Sequence, residues 1–258
     1  MRRLKHKKSL LLLTCSLALV TVITAGGTIA YFSGGDEVRN TLSIGKVEIT
    51  LDEPGWDPDK GLELKPGSRA DKDPTVTAAE GGSYMRVKME IVDGGGSPIT
   101  DEARLSLILQ TLWYDKGDAL AGGSKKYLLS ELQALEADGS IDAEYNRTQF
   151  TFAGTEQGNP SVRYYHYNGI FSKGSSAVLF TDMIIPRDWH NDEIFTLSGD
   201  TWTVSDSGVV ETAEKGTGYR IILSAEAIQA EEMADAETAF AALDDATGVV
   251  RDTGGMEG

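Results

Sequence analysis

The stretch DEPGWDPDKGLE, residues 52–63, places Asp52, Glu53, Asp57, Asp59 and Glu63 within twelve positions. Carboxylates this close, set among turn residues, are the oxygen donors that a calcium ion takes. Read as a helix-flanked calcium loop, the stretch has an acid at its first position and the closing glutamate at its twelfth. Between them it departs from that pattern, with Pro54 and Trp56 at ligand positions and Asp57 where the sharp turn needs glycine. A solvated acidic loop is the plainer reading. Asp52, Asp57, Asp59 and Glu63 are the calcium candidates, and no other cofactor is expected.

Catalytic patterns are absent from the sequence. No HExxH helix is present, and His166 and His190 are the two histidines beyond residue 30. His166 lies in the alternating stretch RYYHYN, where a structural imidazole is the ordinary outcome. No GxSxG elbow exists, and GGS and KGSS lack the strand–turn–helix setting that exposes a serine nucleophile. The single cysteine, Cys15, falls inside a greasy run. The expectation is a protein that is not an enzyme, with no disulfide and no thiolate metal site.

That greasy run identifies the first segment. MRRLKHKK carries five cations and no acid, and SLLLLTCSLALVTVITA (9–25) carries no charge. A basic start, an apolar middle and a small-residue exit make a secretory signal. Ala30, with Thr28 two positions earlier, gives a small-x-small cleavage site before Tyr31. Residues 1–30 are thus expected to be cleaved, leaving 31–258 as one secreted domain that does not span the membrane. The whole chain has 24 cations and 40 acids; without the five signal cations, 19 remain against 40, a net charge of −21. Such a surface repels nucleic acid and anionic lipid, so neither is expected as a partner.

Alternation supplies the elements. LSIGKVEITL (42–51) and YMRVKMEIV (84–92) read as strands, as do QFTFAG, RYYHYNGIF, AVLFTDMII, EIFTLS and YRIILSAEAI. About eight short strands around one core predict an all-β dominated fold, a jelly roll or β-sandwich. Two helical patterns interrupt them. TDEARLSLILQTLW, with Thr100 as N-cap, and KKYLLSELQALEADG predict a helical hairpin inserted at about 100–138. The acidic stretch EEMADAETAFAALDDATG puts Met233, Ala236, Phe240 and Leu243 on one thin helical face, and RDTGGMEG reads as a frayed end. Residues 231–258 are therefore expected to form an acidic helix and tail, lightly docked or awaiting a partner.

Several stretches together point to a family. The junction GGTIAYFS (26–33) has glycines that end the signal helix and aromatics that begin the mature chain. LSIGKVEITLDEPGWDP, LKPGSRADKDPTV, YYHYNGIFSKGSSAVLFTDMIIP and YRIILSAEAIQA follow in order. In these stretches the chain resembles the TasA/camelysin family of proteins exported by Gram-positive bacteria. The 100–138 insertion and the acidic tail lie outside the resemblance. So does TAAEGG after Val76, where family members often carry an asparagine.

The resemblance implies a jelly-roll subunit of biofilm-matrix fibres, cut by a dedicated SipW-type signal peptidase. Its partners would be copies of itself and minor matrix or anchoring proteins. Growth by strand addition needs an open sheet edge and a donor strand to fill it. YFSGGDEVRNTLSI offers Phe32, Val38, Leu42 and Ile44 as the apolar positions of that donor. The alternative for residues 31–41 is a disordered lead-in. A monomeric cell-surface module binding calcium, glycan or a host protein is the second functional reading. A camelysin-like metalloprotease is the third, with no matching zinc helix in the sequence.

Overall fold

A computed structural model describes residues 28–31, 49–54, 67–79, 82–93, 95–120, 125–190, 195–198, 201–206, 209–214, 219–231 and 233–253. The fold is dominated by antiparallel β-structure. Its largest sheet contains β1 (Thr28–Tyr31), β5 (Ser83–Asp93), β8 (Phe150–Glu156), β9 (Asn159–Tyr167), β15 (Tyr219–Gln229) and β16 (Arg251–Asp252), in the order β1-β15-β5-β9-β8-β16. A three-stranded sheet orders β10 (Ser176–Val178), β4 (Thr75–Ala78) and β2 (Ile49–Asp52). A third sheet orders β3 (Arg69–Asp71), β11 (Asp182–Ile184), β6 (Leu112–Asp115) and β7 (Ile141–Ala143). β12 (Phe195–Ser198), β13 (Thr201–Asp206) and β14 (Val209–Glu214) form a separate meander.

The alternation in β5 and β15 explains the main core. Met85, Val87, Met89 and Ile91 of β5 turn inward beside Ile221, Leu223, Ala225 and Ala227 of β15. They pack with Ile49, Leu51, Val76, Ala78 and Ala177 of the three-stranded sheet in one core. Two sheets thus bury one face each, the basic economy of a sandwich. A second core gathers Trp113, Leu120, Tyr127, Leu132, Ile141 and Ile184.

Both helices expected between 100 and 138 are present, as α1 (Glu102–Leu109) and α2 (Leu129–Ala137), but they do not form a hairpin. β6 runs between them and pairs with β7 and β11. The leucine spacing of LILQTLW continues a helical pattern past residue 110, which hides the strand. Leu112 packs into the core from β6 rather than from a helix face. The N-cap of α1 is Asp101, not Thr100, because its carboxylate accepts the Arg104 amide at 2.8 Å. In α2 the Glu131 carboxylate accepts the Leu128 amide at 2.8 Å, and Gly139 at φ +84° follows the last turn.

The acidic C-terminal helix is also shorter than its composition suggests. α3 spans Ala236–Thr247, because Asp235 accepts the Thr238 amide at 2.7 Å and starts the helix there. Gly248, at φ +75°, supplies the left-handed C-cap. Beyond it, Arg251 and Asp252 are not frayed: they pair with Glu156 and Thr155 as β16. AVLFTDMII likewise divides into β10 and β11, which belong to different sheets. Among the described residues, no helix is long and apolar enough to cross a membrane.

Candidate functional site

β1 holds Thr28, Ala30 and Tyr31, the residues expected to flank the signal cleavage. Thr28, Ile29, Ala30 and Tyr31 lie opposite Leu223, Ile222, Ile221 and Arg220, in antiparallel register. They form one edge of the six-stranded sheet, and their partner β15 continues for six residues beyond this pairing, to Gln229. An edge offers a row of backbone N–H and C=O groups, and that row accepts any extended chain that arrives in register. On β15 the core-facing side chains are Ile221, Leu223, Ala225 and Ala227, all buried. The expected donor positions Phe32, Val38, Leu42 and Ile44 lie outside the described residues.

Of the calcium candidates, Asp57, Asp59 and Glu63 also lie outside the described residues. Asp52 closes β2, and its carboxylate accepts the Glu53 amide at 2.9 Å. Glu53 turns inward and forms a wholly buried ion pair with the Lys72 ammonium. Burial holds the Lys72 pKa below its ordinary value, and the adjacent Glu53 carboxylate opposes that shift. The pair ties the end of β2 to the Lys72-Asp73-Pro74 approach to β4. Among the described residues, no group of three or more histidine, cysteine or acidic side chains is placed to hold a metal ion.

A polar cluster that alternation alone did not reveal lies on the outer face of the large sheet. Arg86, an outward position of β5, is 1 % exposed because α3 lies across it. Its guanidinium sits between the Tyr164 and Phe240 rings, 4.6 Å from each centroid. Nε donates to Glu226, and Nη2 donates to Asp244 at 2.7 Å. Burial alone would lower the Arg86 pKa, but Glu226 and Asp244 outweigh it and hold the pKa above its ordinary value. Arg251 then joins three elements. It donates to Asp244 at 2.6 Å, to Glu237 at 2.7 Å and to the Ala153 carbonyl at 2.9 Å.

His166 faces Arg86 across the strand pair and packs on Phe240, with ring centroids 4.9 Å apart. Burial, with Arg251 and Arg86 nearby, lowers its pKa to about 4. Its Nδ1 is 3.6 Å from Glu237, and Nε2 is buried without a hydrogen-bond partner. Among the described residues, no hydroxyl shares a proton with Nε2, as a nucleophile–base pair would require. The cluster instead fastens α3 to the sheet, with Phe240, Leu243 and Ala239 packed on Tyr84 and Ile228. The thin apolar face is docked, and ion pairs supply what its area lacks.

No family model, no curated protein and no solved structure matches this chain.

Proposed function

We propose that this chain is an exported, non-enzymatic subunit of extracellular biofilm-matrix fibres, of the TasA/camelysin kind. A SipW-type signal peptidase would cut after Ala30, and the sandwich would serve as a jelly-roll building block. Copies would join when the N-terminal strand of one, through Phe32, Val38, Leu42 and Ile44, completes a sheet of the next. Minor matrix or anchoring proteins would attach the fibre to the cell surface.

The observation that carries this reading is the position of the junction strand, at an edge of the largest sheet, beside a longer strand. Segments of this chain's own N-terminal region are thereby suited to strand addition. The calcium-binding alternative rests on Asp52, Asp57, Asp59 and Glu63, of which only Asp52 lies among the described residues. Negative-stain microscopy of secreted protein, together with N-terminal sequencing, tests the proposal. The expected result is fibres whose subunits begin at Tyr31. Removing Tyr31–Arg39 should leave folded monomers that do not elongate, and ordinary fibres from that truncation would overturn the donor role. A casein assay with and without chelator tests the metalloprotease alternative, with no cleavage expected.

A further inference from the structure

β9 runs out into an exposed turn, Asn168-Gly169-Ile170, which holds the one Asn–Gly pair in the sequence. Asn168 is a tie as well as a turn residue. Its backbone amide donates to the Gln149 carbonyl at 2.8 Å. Its side-chain Nδ2 donates to the Thr148 carbonyl at 3.2 Å, and its Oδ1 accepts the Thr151 hydroxyl at 2.7 Å. These three bonds hold the start of β8 against the end of β9. The same carboxamide has a nucleophile one residue away, the backbone nitrogen of Gly169. Space there is open, with nothing within 4 Å of where a Cβ on Gly169 would stand, so no side chain hinders the approach. Thr151, Asn168 and Gly169 are all exposed, and water reaches the reacting atoms.

We propose that Asn168 is a self-modification site, converted through a cyclic imide to aspartate and isoaspartate, and that the conversion unfastens β8 from the end of β9. The Gly169 nitrogen loses its proton to hydroxide and attacks Cγ of Asn168. A Cγ–N bond forms, negative charge gathers on Oδ1, and the Thr151 hydroxyl already donates to that atom. The Cγ–Nδ2 bond then breaks. Its nitrogen leaves as ammonia with a proton from water, which restores the hydroxide. A further water opens the ring at either carbonyl carbon. Opening at Cγ gives aspartate at 168 on the ordinary backbone; opening at the main-chain carbon leaves the chain running through Cγ, one methylene longer. The net reaction consumes one water and releases one ammonia.

Both products break the tie. The Nδ2 donor is gone, and a carboxylate oxygen faces the Thr148 carbonyl, acceptor against acceptor. Isoaspartate also lengthens the path to Phe171, a buried core residue whose amide donates to the Ser83 carbonyl at 2.7 Å. The disturbance falls on a junction. Gln149, beside Thr148, accepts Nδ2 of Asn146 at 2.9 Å and the Val178 amide at 3.1 Å, so β8, β9 and β10 meet there. The reaction runs once per molecule and in one direction, so the converted fraction records the age of a copy.

The test ages the full chain, held in detergent, in mildly alkaline buffer beside a synthetic peptide of residues 164–172. Peptide mapping by mass spectrometry should show Asn168 gaining the mass difference between an acid and an amide, and enzymatic methylation should detect isoaspartate. The folded chain should convert at least as fast as the peptide, because the fold holds the Thr151 donor on Oδ1. Thr151→Val should slow conversion by about tenfold, and Thr151→Ser, which keeps a hydroxyl, should restore it. Asn168→Gln, whose side chain is too long for the same ring, should stay intact. In the converted chain, amide exchange at 148–151 and at 168 should rise by about tenfold while β5 keeps its protection. An intact Asn168 in the folded chain while the peptide converts would overturn the proposal. Conversion that leaves exchange at 148–151 unchanged would overturn the unfastening, and native-rate conversion in Thr151→Val would overturn the part given to the hydroxyl.

Discussion

His166 is held neutral beside two guanidinium groups, and this makes the seat of α3 sensitive to acid. Its folded pKa is about 4, against an ordinary 6.5, so between these values the unfolded chain binds a proton that the folded chain does not. The contribution is fully present above pH 6.5 and is lost as pH falls through that window, to a total of about 3 kcal/mol. Urea midpoints at pH 7 and pH 4.5 should therefore differ more in the native protein than in His166→Phe, and an equal difference would refute the assignment. The Glu53–Lys72 pair makes a different claim. Lys72→Met leaves a buried carboxylate without its ammonium and should cost about 3–5 kcal/mol, while Glu53→Leu with Lys72→Met should cost far less than the two single changes together. A urea double-mutant cycle measures this. A structural His166 was legible in the RYYHYN strand, but its neighbours and the Glu53–Lys72 pair were not. Alternation records which face a side chain takes, and another element decides whether that face is covered, as α3 covers Arg86.

At the scale of elements, β8 carries an irregular register between Phe152 and Thr155, and Gly154 sits inside it at φ +103°. A Cβ there would lie 2.5 Å from the Asp252 carbonyl oxygen, so the glycine permits the close approach of β16. Gly154→Ala should cost about 1–3 kcal/mol through backbone strain. It should also loosen more than one strand, because Arg251 of β16 holds Asp244 and Glu237 of α3. Amide exchange should rise together in β16 and α3 while β5 stays protected; exchange confined to β16 would disprove the coupling. β5 and β15 were readable because their apolar residues recur at period two, and β9 because aromatic residues crowd its RYYHY run. β6 was not, since four residues following an amphipathic helix carry too short a pattern to break its period. β13 and β14 escaped for a related reason: TWTVSD and VVETAE are short and polar. The acidic helix was foreseen, as lightly docked or awaiting a partner, but its anchoring residues were not, because His166 and Arg86 lie about 70–160 positions away along the chain.

For the molecule as a whole, a net charge of −16, which the proposed cleavage would make −21, opposes association of copies. Fibre growth should accelerate as salt rises toward about 0.15 M, where the screening length falls to ~8 Å. Light scattering of the cut protein across a salt series checks this, and growth fastest at the lowest salt would contradict it. The large sheet carries a further consequence in the order of its strands. β5 lies at the middle of the sheet, yet one of its two neighbours is β15, so Ser83 meets Gln229 and Asp93 meets Tyr219. A polypeptide that threads a narrow channel from its N-terminus delivers β5 long before β15. Until residue 229 emerges, half of β5's backbone has no partner, and the main core lacks Ile221, Leu223, Ala225 and Ala227. Pairings this distant in sequence also close slowly. On the proposed export route, the chain would be kept from locking into its final shape while in transit, and a translocation machine would receive a thread rather than a knot.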